Sequence, residues 1–303
     1  MTVINTNNAA TLTANALTKN ERAMSQAMER LSTGVRINSA SDDAAGLAIS
    51  SRMTSQVNGL NQAVRNGNDA ISFLQTADGA LVEVTNMLQR MRELAVQASS
   101  GTMGTTDIAA LDTEFDALRL EINRVALNTE WNGTAIFPTG AAASKSFQVG
   151  ANASQSISIT MANIQSMGDS NEVTTDTASI FGGTKLDNDG DGSNDDDDMG
   201  SFDLTSSTTA IGPTGTIFGM DSAIEAINSE RATIGATINR LEYAVDNLAN
   251  VSQNTSASRS RILDADYASE TTELARTQII QQAGTAMLSQ ANQQAQSVLA
   301  LLK

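Results

Sequence analysis

The chain has 303 residues, a net charge of −16 and a pI near 4.3, and it contains neither cysteine nor histidine. So acidic a chain lacks the clustered Lys and Arg that nucleic acid or an anionic membrane surface requires. The missing residues exclude disulfides, thiolate catalysis, thiolate-bound zinc and the commonest general base, which argues against an enzyme.

Aromatics are only 3% of residues. Ala, Ser, Thr, Asn and Gln take their place, so apolar seams must be narrow and built from small side chains. No run of eighteen apolar residues occurs, which excludes a membrane-spanning helix. The first twenty residues are Asn/Thr-rich, with no basic or apolar leader pattern. Export, if it occurs, is expected to proceed without a cleavable signal peptide.

The two prolines, Pro138 and Pro213, bracket the middle of the chain. The proline-free flanks permit long helices. In the first, Leu17, Met24 and Leu31 repeat at seven, a narrow apolar stripe suited to a coiled coil. Gly34 is a helix stop, and Ser39 or Ser41 a new N-cap. Asp42 and Asp43 then fall in a first helical turn.

The next seam runs through Val57, Leu60, Val64, Ile71, Leu74, Leu81, Leu88 and Met91. Gly67 and Asp78 occupy seam positions and are expected to weaken it locally. A loop follows Ser99, with Asp107 expected as N-cap of a helix whose seam is Leu111, Phe115, Leu118, Ile122 and Val125.

The middle changes period. Lys145 to Val149 and Ser156 to Thr160 alternate around a turn at Gly150–Ala153, predicting a β-hairpin near 145–160. Residues 166–218 are rich in Gly, Ser, Thr and Asp, with eleven acids against Lys185 alone. Helical spacing then returns at Ile224, Ile227, Ile234, Ile238, Leu241, Val245 and Leu248, with Arg231 in the one odd slot.

The last stretch, 266–302, places Ile280, Ala283, Met287, Ala291, Ala295, Val298 and Leu302 on one face. At ~1.5 Å per residue this is a helix of roughly 55 Å. Its opposite face is neutral and polar, so its stripe needs cover from elsewhere in the chain or from another molecule. The expected fold is mostly α: a long antiparallel helical coiled-coil rod from both chain ends, with a β-hairpin and a small irregular or β insert in the middle.

One segment has ligand spacing. Asp187, Asp189, Asp191, the Ser193 carbonyl, Asp195 and Asp198 occupy positions 1, 3, 5, 7, 9 and 12 of an EF-type loop, with Gly192 sixth. Against calcium stand the short Asp at position 12, Asn194 where an apolar anchor is usual, and the absence of flanking amphipathic helices. The competing reading is a solvated acidic surface loop. No phosphate loop, catalytic triad or paired-acid site is present. Asp42–Asp43 and Asp264–Asp266 read as helix caps, and Met24, Met28, Met87, Met91 and Met287 as core filler.

Four strings carry a family resemblance. Leu31-Ser-Thr-Gly-Val-Arg-Ile-Asn-Ser-Ala-Ser-Asp-Asp-Ala-Ala-Gly-Leu-Ala-Ile resembles the hallmark segment of bacterial flagellins, as does Leu88-Gln-Arg-Met-Arg-Glu-Leu-Ala-Val-Gln. Ser260-Arg-Ile-Leu-Asp-Ala-Asp-Tyr-Ala-Ser-Glu and Gln278-Ile-Ile-Gln-Gln-Ala-Gly-Thr-Ala-Met-Leu are similar to the family's C-terminal signature. The resemblance covers about 1–165 and 219–303.

That resemblance implies a structural subunit of the extracellular flagellar filament, used for motility, that polymerises with itself. Residues 1–43 and 256–303 would form the inner coiled-coil domain. Residues 44–165 and 219–255 would form the helical rod domain with its hairpin, and 166–218 an outward-facing variable insert. It implies a flagellar export chaperone, a filament cap protein and the hook–filament junction protein as partners. In members recognised by Toll-like receptor 5, the positions matching Arg90, Leu94 and Glu114 contact the receptor.

The stripes at Leu17, Met24, Leu31, Ile280, Met287, Val298 and Leu302 are then the assembly interface. Each large side chain contributes roughly 1.5–3 kcal/mol on full burial, against ~1–2 kcal/mol per residue to order the backbone. The two ends are therefore expected to order on polymerisation. The alternatives are a hook-associated junction protein and a calcium-binding secreted adhesin. A soluble signalling coiled coil would need charged positions flanking the seams, which these lack.

Overall fold

The computed structural model describes residues 7–138, 142–164 and 213–300. In chain order these form α1 (Asn8–Thr33), α2 (Ala44–Ala98), α3 (Thr105–Asn128), β1 (Glu130–Trp131), β2 (Thr134–Ala135), β3 (Ala143–Gln148), β4 (Ser156–Met161), α4 (Pro213–Leu263) and α5 (Tyr267–Ala300). The described residues are mostly helical, with two small antiparallel sheets. It divides into two compact units, one of residues 59–250 and one of residues 1–58 with 251–303.

The 59–250 unit holds the main core. On α2, Ala70, Leu74, Ala77, Leu81, Val84, Leu88 and Met91 are buried at alternating gaps of four and three, the spacing that keeps one helix face inward. Phe115 and Ile122 come from α3, and Met220, Ile227, Ile234 and Leu241 from α4.

Both expected weak points of the α2 seam are instead contact points with α4. A Cβ added to Gly67 would lie 2.5 Å from Val245 Cγ2, so the missing side chain is what lets Val245 sit there. Asp78 receives a hydrogen bond from Arg231 at 2.8 Å, filling the odd slots of both helices with one ion pair.

α3 begins at Thr105, two residues before the expected cap. Asp107 sits in the first turn, where its carboxylate accepts the Gly104 N–H at 3.1 Å. The short β1–β2 hairpin turns on Asn132-Gly133, both at positive φ, 50° and 73°. Asn-Gly is the pair such a two-residue turn favours. β3 and β4 pair in register from Ala143–Met161 to Gln148–Ser156. The connecting loop is longer than the expected turn and is closed by glutamines: Gln148 Nε2 donates to the Gly150 and Asn152 carbonyls, and Gln155 Oε1 accepts the Asn152 N–H. Phe147 packs against Phe73 with ring centroids 5.6 Å apart.

In the other unit, α1 is capped by Asn7 and stops at Gly34, whose φ of 72° is left-handed and whose N–H donates to the Arg30 carbonyl at 2.9 Å. The helix after it is capped by neither Ser39 nor Ser41. Asp43 accepts the Gly46 N–H at 2.9 Å, while Asp42 accepts the Asn38 and Ser39 N–H groups and so organises the preceding loop. Asp266 caps α5 by accepting the Ala268 N–H at 3.0 Å. Between the helices, Val35 and Asp264 form a strand-like bridge, with Arg36 N–H donating to the Leu263 carbonyl and Ala265 N–H to the Gly34 carbonyl.

Candidate functional site

α1 and α5 pair antiparallel. Asn7 Nδ2 donates to the Ala291 carbonyl at 3.2 Å and Asn20 Nδ2 to the Thr277 carbonyl at 2.7 Å. Arg30 pairs with Glu270 at 3.1 Å near the ends of both helices. Each charge lies at the helix end whose dipole favours it. Close approach is possible because Gly284 carries no side chain: a Cβ there would lie 3.2 Å from Leu17 Cδ1.

The α5 face nearer cover runs through Leu274, Thr277, Gln281, Gly284, Leu288 and Ala291, which are buried or half-buried. This face is small and partly polar. The more apolar stripe is turned elsewhere: Ile279 is 66%, Ile280 43% and Met287 63% exposed. On α1, Leu17, Met24 and Leu31 are half-buried. Val298 lies in α5 with its side chain outside the described residues, and Leu302 lies outside them altogether. Met91 is fully buried, as core filler should be, but Met28 and Met287 are exposed. Helical spacing identified a stripe without saying which side of it another helix would cover.

The second sequence-predicted site is brought together only in part. Arg90 on α2 reaches Glu114 on α3 at 2.9 Å and its own-helix neighbour Glu93 at 3.1 Å. All three side chains are about half exposed or more. The two carboxylates raise the already high pKa of the guanidinium, chiefly through the Glu114 hydrogen bond. Leu94, one turn on, is fully buried. It presents no surface and belongs to the main core.

The acidic loop Asp187–Asp198 lies outside the described residues. Among those described, no group of three or more acidic side chains is gathered to hold a metal ion. A surface groove bounded by Val35, Ile37, Leu47 and Leu263 is lined without any ionisable side chain. No described helix is long and apolar enough to cross a membrane.

Known proteins are similar to this chain over nearly its whole length. Residues 4–142 match the bacterial flagellin N-terminal helical region, and residues 217–302 the bacterial flagellin C-terminal helical region. The chain is 42% identical to the flagellin of Bacillus subtilis (strain 168), covering 99% of both chains. It is 42% identical to the flagellin of Halalkalibacterium halodurans, covering 92% of this chain and 91% of that one. To flagellin B of Vibrio cholerae serotype O1 the identity is 35%, over 99% of each.

Proposed function

The chain belongs to the bacterial flagellin family, and from that premise we propose how its surfaces serve the filament. As a flagellin it is a structural subunit of the extracellular flagellar filament, polymerises with its own copies and is not an enzyme. The finer reading is that the outward stripe of α5 at Ile280 and Met287 docks on neighbouring subunits, and that Val298 and Leu302, whose side chains lie outside the described residues, belong to the same interface. Leu17, Met24 and Leu31 of α1 supply the cover that comes from within. The observation that carries this is the exposure of Ile279, Ile280 and Met287 together on a helix whose other face already has a partner.

Residues 1–43 with 256–303 form the inner domain in this reading. Residues 44–165 with 219–255 form the rod domain, and 166–218 faces outward. Negative-stain microscopy of the salted-out protein tests the assembly: native protein gives filaments, and Ile280→Asp with Met287→Asp gives none. Filaments of normal yield from that double variant refute the docking role of the stripe.

An export chaperone, the filament cap and the hook–filament junction protein complete the proposed partners. Toll-like receptor 5 is the proposed host partner, read through the exposed Arg90–Glu114 pair, with Leu94 acting as a positioning residue beneath it. A reporter-cell assay decides: an unchanged response to Arg90→Ala with Glu114→Ala removes the assignment. For 187–198 the ligand spacing supports calcium binding. Calorimetric titration giving no heat at millimolar Ca²⁺ leaves only the solvated acidic loop.

A further inference from the structure

The chain has twelve methionines and no cysteine, so thioethers are its only oxidisable sulfur. Their surroundings differ sharply. Met91, Met161 and Met220 are 0% exposed, whereas Met28 is 57% and Met287 63% exposed. Met287 alone of these lies on the outward apolar stripe of α5, one turn from Ala283 and two from Ile279 and Ile280. Oxidation of methionine follows accessibility, and the sulfoxide is polar where the thioether was apolar.

We propose that Met287 is an oxidation-sensitive modification site that controls whether a free subunit can join the polymer. The reagent class is a two-electron oxidant such as hydrogen peroxide. The sulfur lone pair attacks one peroxide oxygen, the O–O bond breaks and an S–O bond forms. The thioether is oxidised by two electrons to the sulfoxide, and the peroxide is reduced to water.

The product carries a strong acceptor oxygen in the middle of the stripe. Burying it without a donor is unfavourable, so the oxidised stripe docks poorly. A subunit already in the polymer has Met287 covered and is protected. Methionine sulfoxide reductase reverses the change. This inference rests on the reading of the α5 stripe as a docking surface.

The test uses the full chain. Purified subunit is treated with hydrogen peroxide, mapped by peptide mass spectrometry and polymerised beside untreated protein. Met28 and Met287 are expected to gain one oxygen, with Met91, Met161 and Met220 unmodified. The critical concentration is expected to rise at least about tenfold, the factor that ~1.4 kcal/mol represents, and to return after reductase treatment. In Met287→Leu, a volume-conserving change, peroxide is expected to leave the critical concentration at that variant's own untreated value, while Met28→Leu should remain sensitive.

Equal peroxide sensitivity of Met287→Leu and the native chain overturns the proposal. So does an unchanged critical concentration when Met287 is oxidised. If Met287→Leu itself assembles poorly, reversal by the reductase on the native chain decides. Failure of untreated native protein to polymerise would instead overturn the filament reading.

Discussion

Arg231 on α4 donates from Nε to the Asp78 carboxylate on α2 at 2.8 Å, joining two helices that bury Leu74, Leu81, Ile227 and Ile234 in a shared core. Asp78 is one of two irregular positions in its seam, with Gly67, and Arg231 is the one odd slot in its own. Together they satisfy each other where water is only partly excluded, with side chains 33% and 38% exposed.

At that exposure screening limits the interaction. Asp78→Ala or Arg231→Ala is expected to lower unfolding free energy by about 1 kcal/mol, and the double substitution by less than the sum. A double-mutant cycle in chemical denaturation measures the coupling. Strict additivity would mean the two charges act independently.

Gly67→Ala pits two effects against each other. A helix-interior alanine gains about 1 kcal/mol over glycine. Here the new methyl would meet the stiff β-branched Val245 at 2.5 Å, and overpacking of that kind costs about 1–3 kcal/mol. Net destabilisation is expected, and the penalty should disappear on a Val245→Ala background. Thermal unfolding of the four proteins checks it.

Asp42 accepts hydrogen bonds from the Ser39 and Asn38 N–H groups and from the Ser39 hydroxyl, and the Ser39 backbone bond leads in holding its pKa below the ordinary aspartate value. A carboxylate depressed in the folded state contributes stability above its unfolded pKa, about 4, and loses it as pH falls through the folded value. Asp42→Asn should therefore lower the melting temperature at neutral pH. The gap to the native protein should narrow in acid, which melts recorded across pH 2–7 will follow. A gap that widens in acid contradicts the assignment.

The α1–α5 pair is held by two Asn-to-carbonyl bonds, one ion pair and small side chains. The 59–250 unit instead buries Leu74, Leu81, Leu88, Phe115 and Ile227 among others. Protease applied to dilute subunit is expected to cut within α1 and α5 first and to leave the larger core intact. The same sites should become resistant after polymerisation. Resistant ends in the dilute subunit would show that the pair is stable without neighbours.

Periodicity by itself determined the helical ends, the strand-like middle and most of the α2 core, because burial of Leu and Ile at gaps of three and four depends on helix geometry alone. Gly34 was legible for the same local reason, since its left-handed φ needs no long-range partner. The Asn132-Gly133 turn is equally local, set by a residue pair that tolerates positive φ. Long family strings carried the identification, since no ligand-binding chemistry marks a polymer subunit.

Only the tertiary structure decided what depends on a partner far away in sequence. It turned Gly67 and Asp78 from flaws into contacts with Val245 and Arg231. It joined Arg90 to Glu114 while burying Leu94. On α5 it set Thr277, Gly284 and Leu288 on the more covered side and left Ile280 and Met287 exposed. A stripe on a helix states that something must cover it. Which side the chain itself covers depends on how closely two backbones can approach, and here Gly284, Asn20 and the Arg30–Glu270 pair made that choice.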